Sequence, residues 1–300
     1  MSPALIFIHR APFQNYLKIA LEQARVMNPG SAIYLICDQP CALPAAWNIQ
    51  QVFFHELSSP ALDTFKKRYY HVSTNTPEFE QFCFERWFYV QALLQREKIE
   101  RALHIDSDCM ITARADEVFA RFGKTPGIHI CRNGLPHCAP LRGSLQPLLD
   151  FFISAFDPAK KPAHEARMAQ AKASGQLWVL SDMFVMRDYL EAGGAGSFYW
   201  YDTDRDVVIT SVMSDADGYE VWPGKRTLKR VHWQVENGLL TSYLTEAATR
   251  RRVRVYALHY KGAAKRRMMR FNKPRALLPA PVRAYLHNHW APVNGPRWVA

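Results

Sequence analysis

The sequence predicts an α/β fold, a mainly parallel sheet flanked by helices, on three observations. Short apolar runs alternate with helical spacings through the first hundred residues, the β-α-β rhythm that right-handed crossovers build into a parallel sheet. The chain has 300 residues, enough for one large domain or two small ones. Its 48% hydrophobic and 22% charged residues form an ordinary globular balance, which excludes wholesale disorder.

Along the chain, residues 5–9 come first, a short apolar run read as a buried strand. Residues 13–27 carry Phe13, Tyr16, Leu17, Ala20, Leu21 and Ala24 at helical spacing, and Asn28-Pro29-Gly30 stops the helix. Strands are expected at 32–37 and 51–55. The strongest helix spans 76–96, with Thr76 as N-cap and Pro77 at the first helical position. Its stripe is Phe79, Phe82, Cys83, Trp87, Val90, Leu93 and Leu94, and Arg86 falls on the same face. Two readings of that arginine stand: a buried guanidinium with an acidic partner, or a side chain snorkelling at the core's edge. A strand at 103–105 runs into Asp106-Ser107-Asp108. Further on come a strand at 127–131, helices at 147–156 and 163–174, and an apolar segment at 177–180 leading into Ser181-Asp182-Met183. Gly193-Gly194 ends the segment that starts there. Residues 233–248 read as a helix and 253–260 as a strand. Beyond Lys273 the chain is rich in Pro, His and Trp. The expected division is a domain over 1–273 and a basic tail over 274–300, packed on the domain or on a membrane surface.

No apolar stretch reaches the roughly 20 residues of a membrane span. The run at 4–8 is too short for a signal peptide core and has no basic segment before it. The six cysteines form no C-x-x-C, so a zinc ribbon or thioredoxin-type site is not expected. These features together predict a cytoplasmic chain. Of the 38 basic side chains, 13 lie in 250–300, where there is no Asp or Glu, and the remaining 25 face 27 acidic ones in 1–249. The excess is either a solvated tail or a surface for phosphates on a nucleotide, nucleic acid or membrane.

G-x-G-x-x-G, G-x-x-x-x-G-K-[ST] and G-x-S-x-G are absent, the second because Tyr219 stands where Gly224-Lys225 would need a glycine. Two motifs remain. Asp106 and Asp108 lie just past an apolar strand, where open α/β sheets bind ligands. Two residues apart on an extended segment, they are expected to face one cation, and paired carboxylates suit Mg²⁺ or Mn²⁺ on a diphosphate. D-x-D alone is weak: chance gives about 0.7 copies. The sequence has four, and the pairs at 202/204, 204/206 and 215/217 read as solvated turns. The second motif is HYKGAAK, His259 to Lys265. A lone His ending an apolar strand face is more often a core residue than a ligand. Gly262 lets backbone approach a phosphate and Lys265 can neutralise it. Chance expectation for H-x-x-G-x-x-K is about 0.02 copies, so this match is far more specific.

The pair HIDSD and HYKGAAK resembles the GT-A glycosyltransferases, in particular retaining families that hold a metal–nucleotide diphosphate with these motifs. The segments IFIHRAPFQNYLKIALEQARVMNPGSAIYLICD and HVSTNTPEFEQFCFERWFYVQALL look like bacterial transferases of this kind, which build cell-surface glycans. The resemblance lies in 1–112 and 253–265, not in 113–250. It implies a GT-A, Rossmann-like fold. It also implies hexosyl-type transfer, with retention, from a nucleoside-diphosphate sugar such as a UDP-sugar to a glycan or lipid-linked acceptor. It implies Mn²⁺ or Mg²⁺ on Asp106, Asp108 and His259, with Ser107 in the donor site. Gly262 and Lys265 would contact the diphosphate, Lys265 stabilising the departing charge. Arg86 would pair with Asp106 or the phosphate. His9, Arg10 and Asp38 would line the nucleoside pocket, or are loop-end polar residues. Asp182 would serve the sugar or acceptor side, or is a first-turn helix Asp beside Ser181.

Two other classes compete. A nucleotidyltransferase uses a similar sheet and metal but usually has a Gly-rich basic loop after the first strand, where this chain has His9-Arg10-Ala11-Pro12. A non-enzymatic nucleic-acid binder would explain the basic C-terminus and neither motif, so no nucleic-acid partner is expected. A peripheral contact of the tail with an anionic membrane is compatible with the transferase reading.

Overall fold

A computed structural model describes residues 2–120, 126–130, 137–176, 178–193, 197–199, 207–211 and 218–268. The parallel half of the first sheet comprises β1 (Ala4–His9), β2 (Ile33–Cys37), β3 (Ile49–Phe53) and β4 (Arg101–Asp106). With β1 between β2 and β4, and β3 outside β2, all three pairings are parallel. The second sheet begins with β5 (Cys109–Ile111). The first sheet resumes with β6 (Gly127–Ile130), β7 (Cys138–Arg142) and β8 (Ser197–Tyr199), in the order β3-β2-β1-β4-β7-β6-β8. β7 is antiparallel to both β4 and β6, and β8 is parallel to β6. The sheet is thus mixed and mostly parallel.

β1 and β2 are buried almost throughout, because helices cover both faces of a parallel sheet. Leu5 and Phe7 face one core, with Leu17, Ala20 and Leu21 of α1 (Asn15–Met27). Ala4, Ile6 and Ile8 face the other, with residues of α2 (Pro60–Arg68) and α3 (Pro77–Arg96). After α4 (Ala115–Ala120), helices α5 (Gln146–Ala155), α6 (Lys161–Ala173) and α7 (Asp182–Glu191) complete that second side. Thr76 caps α3 by accepting from the Phe79 amide, with Pro77 in the first turn.

The second sheet adds β9 (Val207–Ser211), β10 (His232–Glu236), β11 (Leu239–Thr245) and β12 (Arg252–His259), and the chain continues into the one-turn α8 (Lys265–Met268). β11 and β5 pair antiparallel with successive stretches of β12, and β9 pairs parallel along its other edge.

The helix expected over 233–248 is instead the β10–β11 hairpin. Asn237 and Gly238, with φ of 51° and 77°, make its two-residue turn. That is the primed turn Asn-Gly favours, and it outweighs the helical spacing. β3 lies two residues earlier than expected, because 54–57 form a short 3-10 turn. Trp178–Leu180 belong to no regular element. On α3 the predicted stripe holds at Trp87, Val90, Leu93 and Leu94, but the buried face also takes in Phe84, Phe88, Tyr89 and Gln91, and the first residue of the stripe stays out of the core. Phe79 is 58% exposed, and the buried positions nearby are Glu80, Phe84 and Glu85.

The boundary at 273/274, the tail, Leu177, Gly194, Cys131 and the D-x-D pairs at 202/204, 204/206 and 215/217 lie outside the described residues. The other five cysteines are free thiols. Among the described residues no helix is long and apolar enough to cross a membrane.

Candidate active site

The site lies where the two sheets exchange the chain. β4 ends at Asp106, Ser107 and Asp108 form a turn, and Cys109 starts β5 in the other sheet. The Asp106 amide donates to the His137 carbonyl at 2.9 Å, beside the start of β7. The Tyr260 amide donates to the Asp108 carbonyl at 2.9 Å, and His259 pairs in register with Cys109. The two aspartates are therefore clamped through their backbones to different sheets. This corrects the expectation of one extended segment: the turn separates the two carboxylates into different sets of partners.

Asp106 receives Arg86 Nη1 at 2.8 Å on one oxygen and His137 Nδ1 at 2.8 Å on the other. Arg86 also donates through Nη2 to Asp182 Oδ2 at 2.6 Å. The Trp87 indole N–H reaches the same oxygen at 3.2 Å. The Arg86 and Asp106 side chains are only 12% and 15% exposed. Burial alone would raise the Asp106 pKa, but the Arg86 guanidinium and the His137 bond outweigh it and hold the carboxyl far below its usual range. Arg86 stays charged: burial works against it, and Asp182 and Asp106 overcome burial.

Asp108 lies 3.3 Å from His259 Nε2 and 3.0 Å from Lys265 Nζ. Burial opposes its ionisation, and the bond and charge of His259, with Lys265 adding, still lower its pKa. The His137 and His259 rings stack at 3.5 Å. Burial, then His259, push the His137 pKa down, so its imidazole is neutral at pH 7. Lys265 also lies 4.7 Å over the Tyr16 ring.

Asp106, His137 and His259 each offer a ligand atom within 4.8 Å of the others. A neutral imidazole beside a firmly ionised carboxylate, with Asp108 against His259, is a mixed nitrogen–oxygen donor set that suits Mn²⁺ better than the oxygen-seeking Mg²⁺. His137 was not anticipated, because nothing in the spacing around a lone His predicts that β7 returns beside β4. Glu80, Cys83 and Asp182 form a second such group. There, Arg86 already neutralises Asp182, and Ser73 and Asn75 donate to Glu80.

These groups face a cavity of about 810 Å³ that runs from Lys265 and Gly262 past Asp106 to Thr74 and Phe79. His9 and Arg10 line it. His9 Nδ1 lies 3.0 Å from Ser107 Oγ, and Arg10 is held by Glu85 at 3.0 Å and stacks over Phe82 at 4.0 Å. Gly262 reaches the wall with φ of 56°, a conformation glycine adopts without strain. Asp182 is in the first turn of α7 beside its cap Ser181, and it also lines the cavity. Asp38 is exposed, outside the cavity lining, and accepts from the Ala11 amide at 3.0 Å. Its loop-end reading is the one the geometry supports.

The predicted basic surface is partly neutralised within the described residues. Arg250 pairs with Glu220, Arg251 with Glu246 and Arg254 with Glu236. Arg266 is exposed and Arg267 half-buried, while Arg270 and Lys273 lie outside the described residues.

No protein-family model matches the chain, and no curated protein matches it. Among solved structures it is similar to mouse xyloside xylosyltransferase 1 in its apo form, at 13% identity and a TM-score of 0.40, covering 70% of this chain and 89% of that one. It is also similar to the glycosyltransferase GlyE of Streptococcus pneumoniae TIGR4, at 10% identity and a TM-score of 0.37, covering 69% of this chain and 47% of that one. Likenesses at this level decide neither fold nor chemistry, which rest on the sheet and the site above.

Proposed function

We propose that this chain is a divalent-metal-dependent glycosyltransferase, moving a sugar from a nucleoside-diphosphate sugar, a UDP-sugar, to a glycan or lipid-linked acceptor with retention. One observation carries this: the Asp106 carboxylate and the His137 and His259 imidazoles converge at a strand end, with Asp108 against His259 and Lys265, on the wall of a ligand-sized cavity. A bound divalent cation would supply positive charge to offset the negative charge developing on the departing diphosphate. Asp106, Asp108 and His259, with His137, would hold it. Lys265, 37% exposed, is free to exchange Asp108 for a phosphate oxygen and stabilise the departing nucleoside diphosphate. Gly262 lets the backbone come close to that phosphate. Arg86 holds Asp106 and Asp182 in place through its two amino groups, and Asp182 would stand on the sugar side of the cavity. With retention, the leaving phosphate takes the acceptor's proton, and the chain needs no separate general base.

The test is a panel of nucleotide-sugars with Mn²⁺, scored by donor hydrolysis and thermal shift. A UDP-sugar should be hydrolysed and raise the melting temperature, EDTA should abolish both, and Asp108→Ala should lose turnover while remaining folded. Full activity in EDTA, or no response to any nucleotide-sugar, overturns the proposal.

A further inference from the structure

On the cavity face of α3, folding leaves Phe79 uncovered, while Phe82 packs beneath Arg10 and beside Phe54. Phe79, Phe82, Cys83 and Arg86 fall on one helix face at i, i+3, i+4 and i+7, and all four line the cavity. Phe79 is one of only two large apolar side chains that are exposed among the described residues. An aromatic ring at a cavity wall, on a helix whose other aromatics are mostly buried, suits a ligand with an apolar face.

Charge divides the same cavity. Lys261, Gly262 and Lys265 stand at one end, where phosphates belong. Among the described residues, the α3 end carries Glu78 and Glu80 and no unpaired cation, since Arg10 is bonded to Glu85 and Arg86 to Asp106 and Asp182. Glu80 is 1% exposed, and both Ser73 Oγ, at 2.6 Å, and Asn75 Nδ2, at 2.8 Å, reach its Oε2. An anionic group would be repelled there, and hydroxyl donors would be accepted. Phe79 stands seven residues from Arg86, about 10 Å along the helix axis.

We propose that the first two turns of α3 form the acceptor subsite, with Phe79 the platform for the apolar face of a neutral pyranose ring. This rests on the transferase reading above. Phe79 determines acceptor specificity, and the exposed Glu78 side chain at the same end disfavours an anionic ring.

The experiment uses the full chain and Phe79→Ala and Phe79→Trp variants. MnUDP affinity is measured first by calorimetry. Michaelis constants are then measured for methyl gluco-, galacto- and xylopyranosides and for methyl glucuronoside, with the active UDP-sugar. Phe79→Ala should raise KM for the best neutral pyranoside at least tenfold and change the MnUDP Kd by less than twofold. Phe79→Trp should keep KM within threefold, which a merely structural role of the ring would not explain. The glucuronoside should be at least tenfold poorer than the neutral rings. A Phe79→Ala KM within twofold of the wild type, a preferred glucuronoside, or no transfer to any neutral pyranoside by protein that binds MnUDP would each overturn the subsite alone. Failure of the wild type to bind MnUDP would overturn the transferase reading, and the subsite with it.

Discussion

Asp106 and Asp108 belong to one three-residue motif, yet the two sheets treat them differently. On the first-sheet side, Asp106 is locked by an ion pair with Arg86 and a hydrogen bond to His137, both partners being at most 15% exposed. On the second-sheet side, Asp108 meets Lys265, whose side chain is 37% exposed. Both are carboxylate–cation pairs near 3 Å. Burial makes one part of the fold and leaves the other within reach of a ligand.

The sharpest way to break this comparison is Arg86→Met. It leaves Asp106 and Asp182 buried without their shared cation, which typically costs about 3–5 kcal/mol. The melting temperature should fall on the order of 10 °C. Arg86→Lys should recover less than half of the loss, since an ammonium cannot fork to two carboxylates. A melting temperature within about 2 °C of the wild type for Arg86→Met would place the pair with the solvent-accessible kind.

On the other side, Lys265→Met should act in the opposite sense. Lys265 is 37% exposed, and the 12% exposed Asp108 keeps His259 as a second partner, so the protein should melt within a few degrees of the wild type. Loss of charge at the departing diphosphate should lower kcat about 100-fold, or roughly 2.7 kcal/mol. Retained turnover would show that Lys265 serves Asp108 alone.

The smallest effect sharpens the role of the second sheet. Gly238→Val puts a β-branched residue at φ of 77° in the β10–β11 turn, where no neighbouring atom lies within 4 Å of the added Cβ. Backbone strain alone should cost about 1–2 kcal/mol. The loss, read by denaturant midpoint, should leave MnUDP affinity within twofold, because His259 is held by β5 and β9 as well as by the strand that β11 supports.

The parallel half was legible because its signals are local. β1, α1, β2 and α3 each carry their own periodicity, and Asn28-Pro29-Gly30 and Thr76-Pro77 mark their ends. The second sheet was less so. Residues 233–248 contain apolar residues at helical spacing, and the Asn-Gly turn that decides the hairpin was the overlooked signal. The stripe of Phe79, Phe82, Cys83 and Arg86 was visible as a face, but periodicity does not say whether a face meets core or cavity.

By itself, the sequence determined the α/β character with its mainly parallel sheet, the strand running into Asp106, and the types of side chain at Asp106, Asp108, His259 and Lys265. Those depend on composition, period and spacing, which act over a few residues. Only the tertiary structure decided that His137 joins Asp106, that Arg86 bridges Asp106 to Asp182, and that Asp38 stands outside the cavity. The bonds among these side chains span 20 to 96 positions of chain, set by how β7, α3 and α7 pack around β4. No local pattern encodes such a distance, because the free energy that fixes it comes from burying whole elements against one another.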